Sequence, residues 1–189
     1  MSAPTSDPWR DAASFDELVR LGRDFLRGQL DRFPGWGAGD LDDESDALEE
    51  VLVAITGLGM LTVASQPGRP FSPGHDGRDW AGRAFVGGFA SADGEAQVCE
   101  RAVAEGLVVL AEPAGGDGGR FSVPAGLRDG LPYLVLETGG REAELEIFLK
   151  EVGPDAHREL SALPFLWIVD PVWGRRDALH RAFGPRGGV

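Results

Sequence analysis

Apolar residues recur at three- and four-residue spacing from Phe15 onward, and this spacing defines the first predicted element. Phe15, Leu18, Gly22, Phe25, Leu26, Leu30 and Phe33 form one face of a helix reaching residue 32, with Arg20, Arg23, Asp24, Arg27 and Asp31 largely opposite. Ser14-Phe15-Asp16-Glu17 reads as its capping box: the Ser14 hydroxyl accepts the Glu17 N–H and the Glu17 carboxylate reaches back. Pro34-Gly35 stops it. A second helix, residues 45–56, buries Leu48, Val51, Leu52 and Ile55, and Gly57 or Gly59 takes the left-handed cap. Residues 60–64 form a short strand with Thr62 and Ala64 opposite Leu61 and Val63, closing in the polar turn Ser65-Gln66-Pro67-Gly68.

Beyond that turn the pattern loosens. Residues 66–79 carry Pro67, Gly68, Pro70, Pro73, Gly74 and Gly77 and read as a long loop. Residues 80–89 read as one strand, with Trp80, Phe85 and Phe89 as bulk and Gly82, Gly87 and Gly88 marking a bulge or a close backbone approach. Ser91 caps a helix over residues 92–105 that stops at Gly106, and the apolar run 107–112 reads as a central strand. A surface loop at 113–119 and a short strand at 120–123 precede the turn Arg128-Asp129-Gly130 and a strand at 131–137. Helices follow at 142–152 and 154–163, the latter opened by Pro154. Phe165-Leu166-Trp167-Ile168-Val169 is the clearest strand, ended by Asp170-Pro171, and residues 177–183 form a last helix. This irregular alternation predicts a single α+β domain over residues 9–184, with mixed, mostly antiparallel sheets and helices packed outside. Flexible ends are expected at 1–8 and 185–189.

Charge narrows the partners. The formal net charge of −13 repels nucleic acid and anionic membranes and leaves a basic protein as the favoured macromolecular partner. A single cysteine, Cys99, excludes an internal disulfide and a Cys-rich zinc site, and reads as a small buried apolar residue. The N-terminus lacks a basic stretch followed by an apolar one, and no run reaches the roughly 18 apolar residues of a membrane span, so a cytosolic protein is expected.

Few residues carry recognisable chemistry. Asp40, Asp42 and Glu44 alternate as in a calcium loop, but Ser45 and Val51 occupy the positions that need Gly and Glu. The segment reads instead as an acidic flank favouring the next helix N-terminus, with Arg175, Arg176, Arg181 and Arg186 of the tail as its ionic partners. Phosphate-loop, dinucleotide, nucleophile-elbow and zincin motifs are absent from the sequence. His75, Asp76 and Asp79 lack a fourth metal ligand, and His157 and His180 read as surface residues on helices. Glu137-Thr138, at a strand end before Gly139-Gly140, is a candidate ligand contact because glycine lets a ligand approach the backbone. Trp80, half-core or core like Trp36, Trp167 and Trp173, joins the candidates as an aromatic contact.

Residues 52–67 also carry a resemblance. Leu52, Gly59, Leu61, Thr62, Ser65, Gln66 and Pro67 match the pattern Leu-x-x-x-Asn-x-x-Gly-x-Leu-Thr-Ile-x-Ser-Gln-Pro, with Val63 conservative and Thr56 in place of Asn. The pattern resembles the C-terminal regulatory domain of eukaryotic methylenetetrahydrofolate reductase, and the later order of strands and helices is similar through residue 183. The chain is also similar to stand-alone actinobacterial domains that share the Thr-x-x-Ser-Gln-x-Gly segment. The resemblance implies a sensor fold that binds S-adenosylmethionine without chemistry of its own, with Thr62, Ser65 and Gln66 on the ligand side. The expectation is therefore a non-catalytic domain binding S-adenosylmethionine or a related nucleoside through Thr62, Ser65, Gln66, Trp80, Glu137 and Thr138, with no catalytic or metal-binding residue assigned. The alternative is an acidic, immunity-type module that binds a basic protein.

Overall fold

The computed structural model describes residues 7–35, 45–116 and 118–185. The expected acidic loop with Asp40, Asp42 and Glu44, as well as Trp36 and Arg186, lies outside the described residues. The chain forms a single α+β domain. In order, its elements are α1 (Pro8–Asp11), α2 (Phe15–Leu26), a 3-10 turn (Asp46–Leu48), α3 (Glu49–Gly57), β1 (Met60–Gln66), β2 (Arg69–Pro73), β3 (Asp79–Gly82) and β4 (Phe85–Ala90). Then come α4 (Ala92–Ala104), β5 (Val108–Glu112), β6 (Ser122–Arg128), β7 (Leu131–Glu137), α5 (Gly140–Glu151), α6 (Pro154–Ser161), β8 (Phe165–Val169) and α7 (Ala178–Phe183).

Two four-stranded antiparallel sheets result, in the orders β1-β4-β8-β5 and β2-β3-β6-β7. β8 explains the first. Every one of its residues is buried, because the sheet is covered on both faces. Phe165, Trp167 and Val169 join Leu61, Phe85 and Phe89 in a core that also takes side chains from α1, α2, α5, α6 and the second sheet. Leu166 and Ile168 join Met60, Val86 and Ala90 in a second core closed by α3, α4 and α7. An uninterrupted apolar strand is what such double coverage requires.

Local chemistry sets the boundaries. The Ser14 Oγ accepts from Glu17 N at 3.3 Å, and the Glu17 carboxylate accepts from Ala13 N at 2.6 Å, so the box closes one residue further back than its usual form. α2 ends at Leu26 rather than at residue 32. Gly28 adopts φ 67°, and the N–H groups of Gly28 and Gln29 turn back to Phe25 O and Asp24 O. Gly59, at φ 92°, is the residue that turns α3 into β1. Asp129 and Gly130, at φ 52° and 77°, make the β6–β7 turn of the mirror-image type that matches strand twist.

Three expectations are corrected. Residues 66–79 are not a loop: β2 and β3 form a hairpin there, and Pro70 and Pro73 are accommodated because β2 is an edge strand. Residues 80–89 are not one strand: β3 and β4 belong to different sheets, parted at Arg83-Ala84, where Arg83 N donates to Ala125 O. β5 lies at an edge, and the central position is taken by β4 and β8. A register shift between Thr62 and Ala64 also breaks strict alternation in β1, so that Ala64 packs on the same core as Leu61 and Val63.

Smaller revisions follow from burial and pairing. Cys99 is half-buried, and burial, with Glu95 nearby, pushes its thiol pKa up. His157 is half-buried, with Nε2 3.2 Å from Leu145 O, while His180 is exposed. The tail arginines do not meet Asp46 among the described residues. Arg175 pairs with Asp170, Arg181 with Glu105 and Asp177, and Arg176 donates to Gly68 O.

β7 is the second edge of the β2-β3-β6-β7 sheet among the described residues. β7 presents Leu131, Tyr133 and Val135 on its outer side, 71%, 46% and 36% exposed, while Leu134 and Leu136 turn to the core.

Gly68 is fixed by close approach: a Cβ there would lie 1.9 Å from Arg175 O. Gly68→Ala is expected to lower stability by about 1–3 kcal/mol through overpacking, whereas Gly57→Ala, with open space around it, is expected to gain about 0.5–1 kcal/mol. Chemical denaturation of both variants checks the contrast. Burial of Glu144 on α5 raises its carboxyl pKa above the ordinary 4.5. The protonated form is favoured in the fold, so its contribution is fully present below pH 4.5 and is lost as pH rises through the raised value. Glu144→Gln should therefore match the native chain below that pH and exceed its stability near neutrality.

Candidate functional site

The six candidate residues fall in three places. Thr62 is buried, its Oγ1 3.5 Å from the Oγ1 of Thr56 on α3. Ser65 is half-buried, its Oγ 3.1 Å from Ser45 Oγ. Both border a cavity of about 30 Å³ whose other walls include Phe25, Phe33, Leu52 and Val63. That space holds about one water, so Thr62 and Ser65 serve the packing of β1 against α2 and α3.

Glu137 and Thr138 are exposed at the far end of β7. Thr138 Oγ1 accepts from Phe121 N at 2.9 Å and closes the start of β6. The glycine-rich entrance to α5 beside them already holds an anion. Glu112, buried at the end of β5, accepts from Gly139 N at 2.6 Å and from the Trp167 indole N–H at 3.3 Å. An internal carboxylate thus fills the helix N-terminus where a ligand was expected.

Gln66 and Trp80 sit elsewhere, at a cleft of 460 Å³ between the Ser65–Gly68 turn, the outer face of the second sheet and the segment entering α7. Gln66 Nε2 donates to Arg83 O at 3.2 Å, and a Cβ at Gly82 would lie 2.5 Å from it, so a glycine floor lets the amide lie flat on the sheet. Arg69, Ser72, Tyr133, Arg176 and His180 complete the polar lining. Trp80 stands behind this lining. Its ring meets Tyr133 edge-on at 4.8 Å, and the guanidinium groups of Arg69 and Arg128 lie 5.8 and 5.5 Å from its centroid. Asp76 Oδ1 accepts the Trp80 indole N–H at 3.0 Å, and this bond, with that from Arg78 N, holds the Asp76 carboxyl below its ordinary range. Asp76 is thereby engaged in the hairpin turn. Among the described residues no group of three or more His, Cys, Asp or Glu side chains is placed to hold a metal.

The cleft is set apart by its charge. The grooves along α4 and α7, of 340 and 550 Å³, mix Glu100 and Glu105 with Arg101 and Arg181, or Glu49 and Glu50 with Arg27 and Arg101. No carboxylate is among the described residues lining the cleft at Gln66. Arg69, Tyr133, Arg176 and His180 were not singled out as site residues in the sequence. They come from β2, β7, the approach to α7 and α7 itself, and only the tertiary fold brings them together. The one available signal was Arg69, which directly follows the Ser-Gln-Pro-Gly turn.

Glu112→Ala is expected to cost about 1–3 kcal/mol by leaving the Gly139 and Trp167 donors unpaired, read by chemical denaturation and by a changed Trp167 fluorescence.

No helix among the described residues is long and apolar enough to cross a membrane. No curated protein matches the chain. A family model, domain of unknown function DUF6919, matches residues 4–184, and the chain belongs to that family.

Proposed function

We propose that this chain is a non-catalytic small-molecule-binding domain whose ligand occupies the cleft at Gln66. The observation that carries the reading is a 460 Å³ concavity with convergent polar groups from three separate segments and a tyrosine ring in its wall. Its volume suits a nucleoside-sized ligand. Gln66 is the residue of the Thr-x-x-Ser-Gln segment that reaches this space, and Tyr133 lines its wall. S-adenosylmethionine or a related nucleoside is the ligand class taken forward, on the strength of the segment's resemblance to the regulatory domain.

The alternative of a basic protein partner is less well supported on this face, because such a partner would meet Arg69, Arg128 and Arg176.

Calorimetric titration with S-adenosylmethionine, S-adenosylhomocysteine and adenosine tests the reading. Saturable binding is expected, weakened about tenfold or more by Tyr133→Ala. An absence of heat and of thermal stabilisation with all three at millimolar concentration would sink the nucleoside reading.

A further inference from the structure

Acidic groups outnumber basic ones by 31 to 18 in this chain, yet the cleft is lined by arginines without a described carboxylate. The adjacent pair Arg175 and Arg176 shows the contrast most directly. Arg175 spends its guanidinium on buried Asp170, through Nε at 2.6 Å and a terminal nitrogen at 2.7 Å. Arg176 is held through Nε alone, by the Gly68 carbonyl at 3.1 Å. A carbonyl orients a guanidinium without neutralising it. Arg69 is positioned the same way by different means: its stem lies beside Gly82, and its head rests over the Trp80 ring. Among the described residues neither Arg69 nor Arg176 makes an ion pair, whereas Arg20, Arg32, Arg141, Arg158 and Arg181 all do.

Gly68 separates these two arginines, and its own contact with the Arg175 carbonyl keeps the two segments together. Arg128 adds a third positive charge on the other side of Trp80. Guanidinium forks fixed by neutral partners are suited to an oxyanion, because carboxylate and phosphate oxygens accept their parallel N–H groups and supply the missing charge. A local cationic wall can hold an anion within a chain of opposite net charge, since short-range contacts in a cleft outweigh the screened distant field.

We infer that the cleft selects a small molecule bearing an anionic group, with a phosphate or carboxylate held between Arg69 and Arg176. This inference rests on the reading of the cleft as a small-molecule site.

The test compares adenosine 5′-monophosphate with adenosine by calorimetry. It also titrates inorganic pyrophosphate into isotopically labelled protein while following arginine Nε–H signals. The monophosphate should bind about tenfold or more tightly than adenosine, as expected for charge-assisted hydrogen bonds. Arg176→Gln should remove most of that advantage, read as the ratio of monophosphate to adenosine affinity within the same variant, and Arg176→Lys should retain part of it. Pyrophosphate should shift the Arg69 and Arg176 signals and leave Arg20 and Arg158 in place. Equal affinity for the two nucleosides, or an advantage that survives Arg176→Gln, overturns anion selection while the small-molecule reading stands. Pyrophosphate shifts spread over all exposed arginines also overturn it. Failure of all three probes to bind overturns both.

Discussion

Asp170 is fully buried, and the junction of the two sheets depends on how its charge is met. Its carboxylate receives a two-pronged pairing from Arg175 and the N–H of Val172, and its own N–H donates to Ala84 O. A buried carboxylate left unpaired would cost several kcal/mol. The segment from Asp170 to Arg175 therefore has little freedom. It curls over its own anion, and this curl sends Gly174 N to Gly82 O and sets the Arg175 carbonyl against Gly68. Three chain segments distant in sequence meet at these three glycines. The pairing also raises the Arg175 pKa, through the Asp170 hydrogen bonds first.

The same junction decides where the chain changes sheets. β1 passes to β2 at Gln66-Pro67-Gly68, and β3 passes to β4 at Arg83-Ala84. Arg83 serves both crossings: its carbonyl accepts from Gln66, its N–H and a terminal nitrogen donate to the Ala125 and Pro124 carbonyls of β6, and its guanidinium lies 4.4 Å from the Trp173 ring centroid. The Ser-Gln-Pro-Gly turn is thus first a structural crossing. Its polar side chains are distributed between a packing role, for Ser65, and the cleft wall, for Gln66.

Much of the fold was legible because local and tertiary demands agree. Ser14 and Glu17 cap, Asp129-Gly130 turns, and the run at residues 165–169 is apolar enough for burial on both faces. Failures arose where tertiary context overrides local signals. Prolines argue against a strand until the strand is known to lie at an edge, as β2 does. A continuous apolar run argues for a central strand, but β5 is covered unevenly, and β8 takes that place. The site was less legible than the fold. Glu137 and Thr138 look like ligand contacts beside a double glycine, and nothing local announces that Glu112, from another strand, occupies the helix entrance. Arg69, Tyr133 and Arg176 converge only through strand pairing and the curl after β8.

The edge at β7 gives the net charge a further meaning. A strand edge without a described neighbour, on a strand whose Leu131 and Val135 are exposed, is a template for another strand. Pro132 removes one donor from it, and Glu137 places a charge at its end, which protects only the extremities. For the middle, the formal net charge of −13 on each copy disfavours the approach of a second copy. That guard is ionic and acts over about 10 Å at moderate salt. The net charge of the whole molecular surface would thus stand in for a protection that the strand itself lacks.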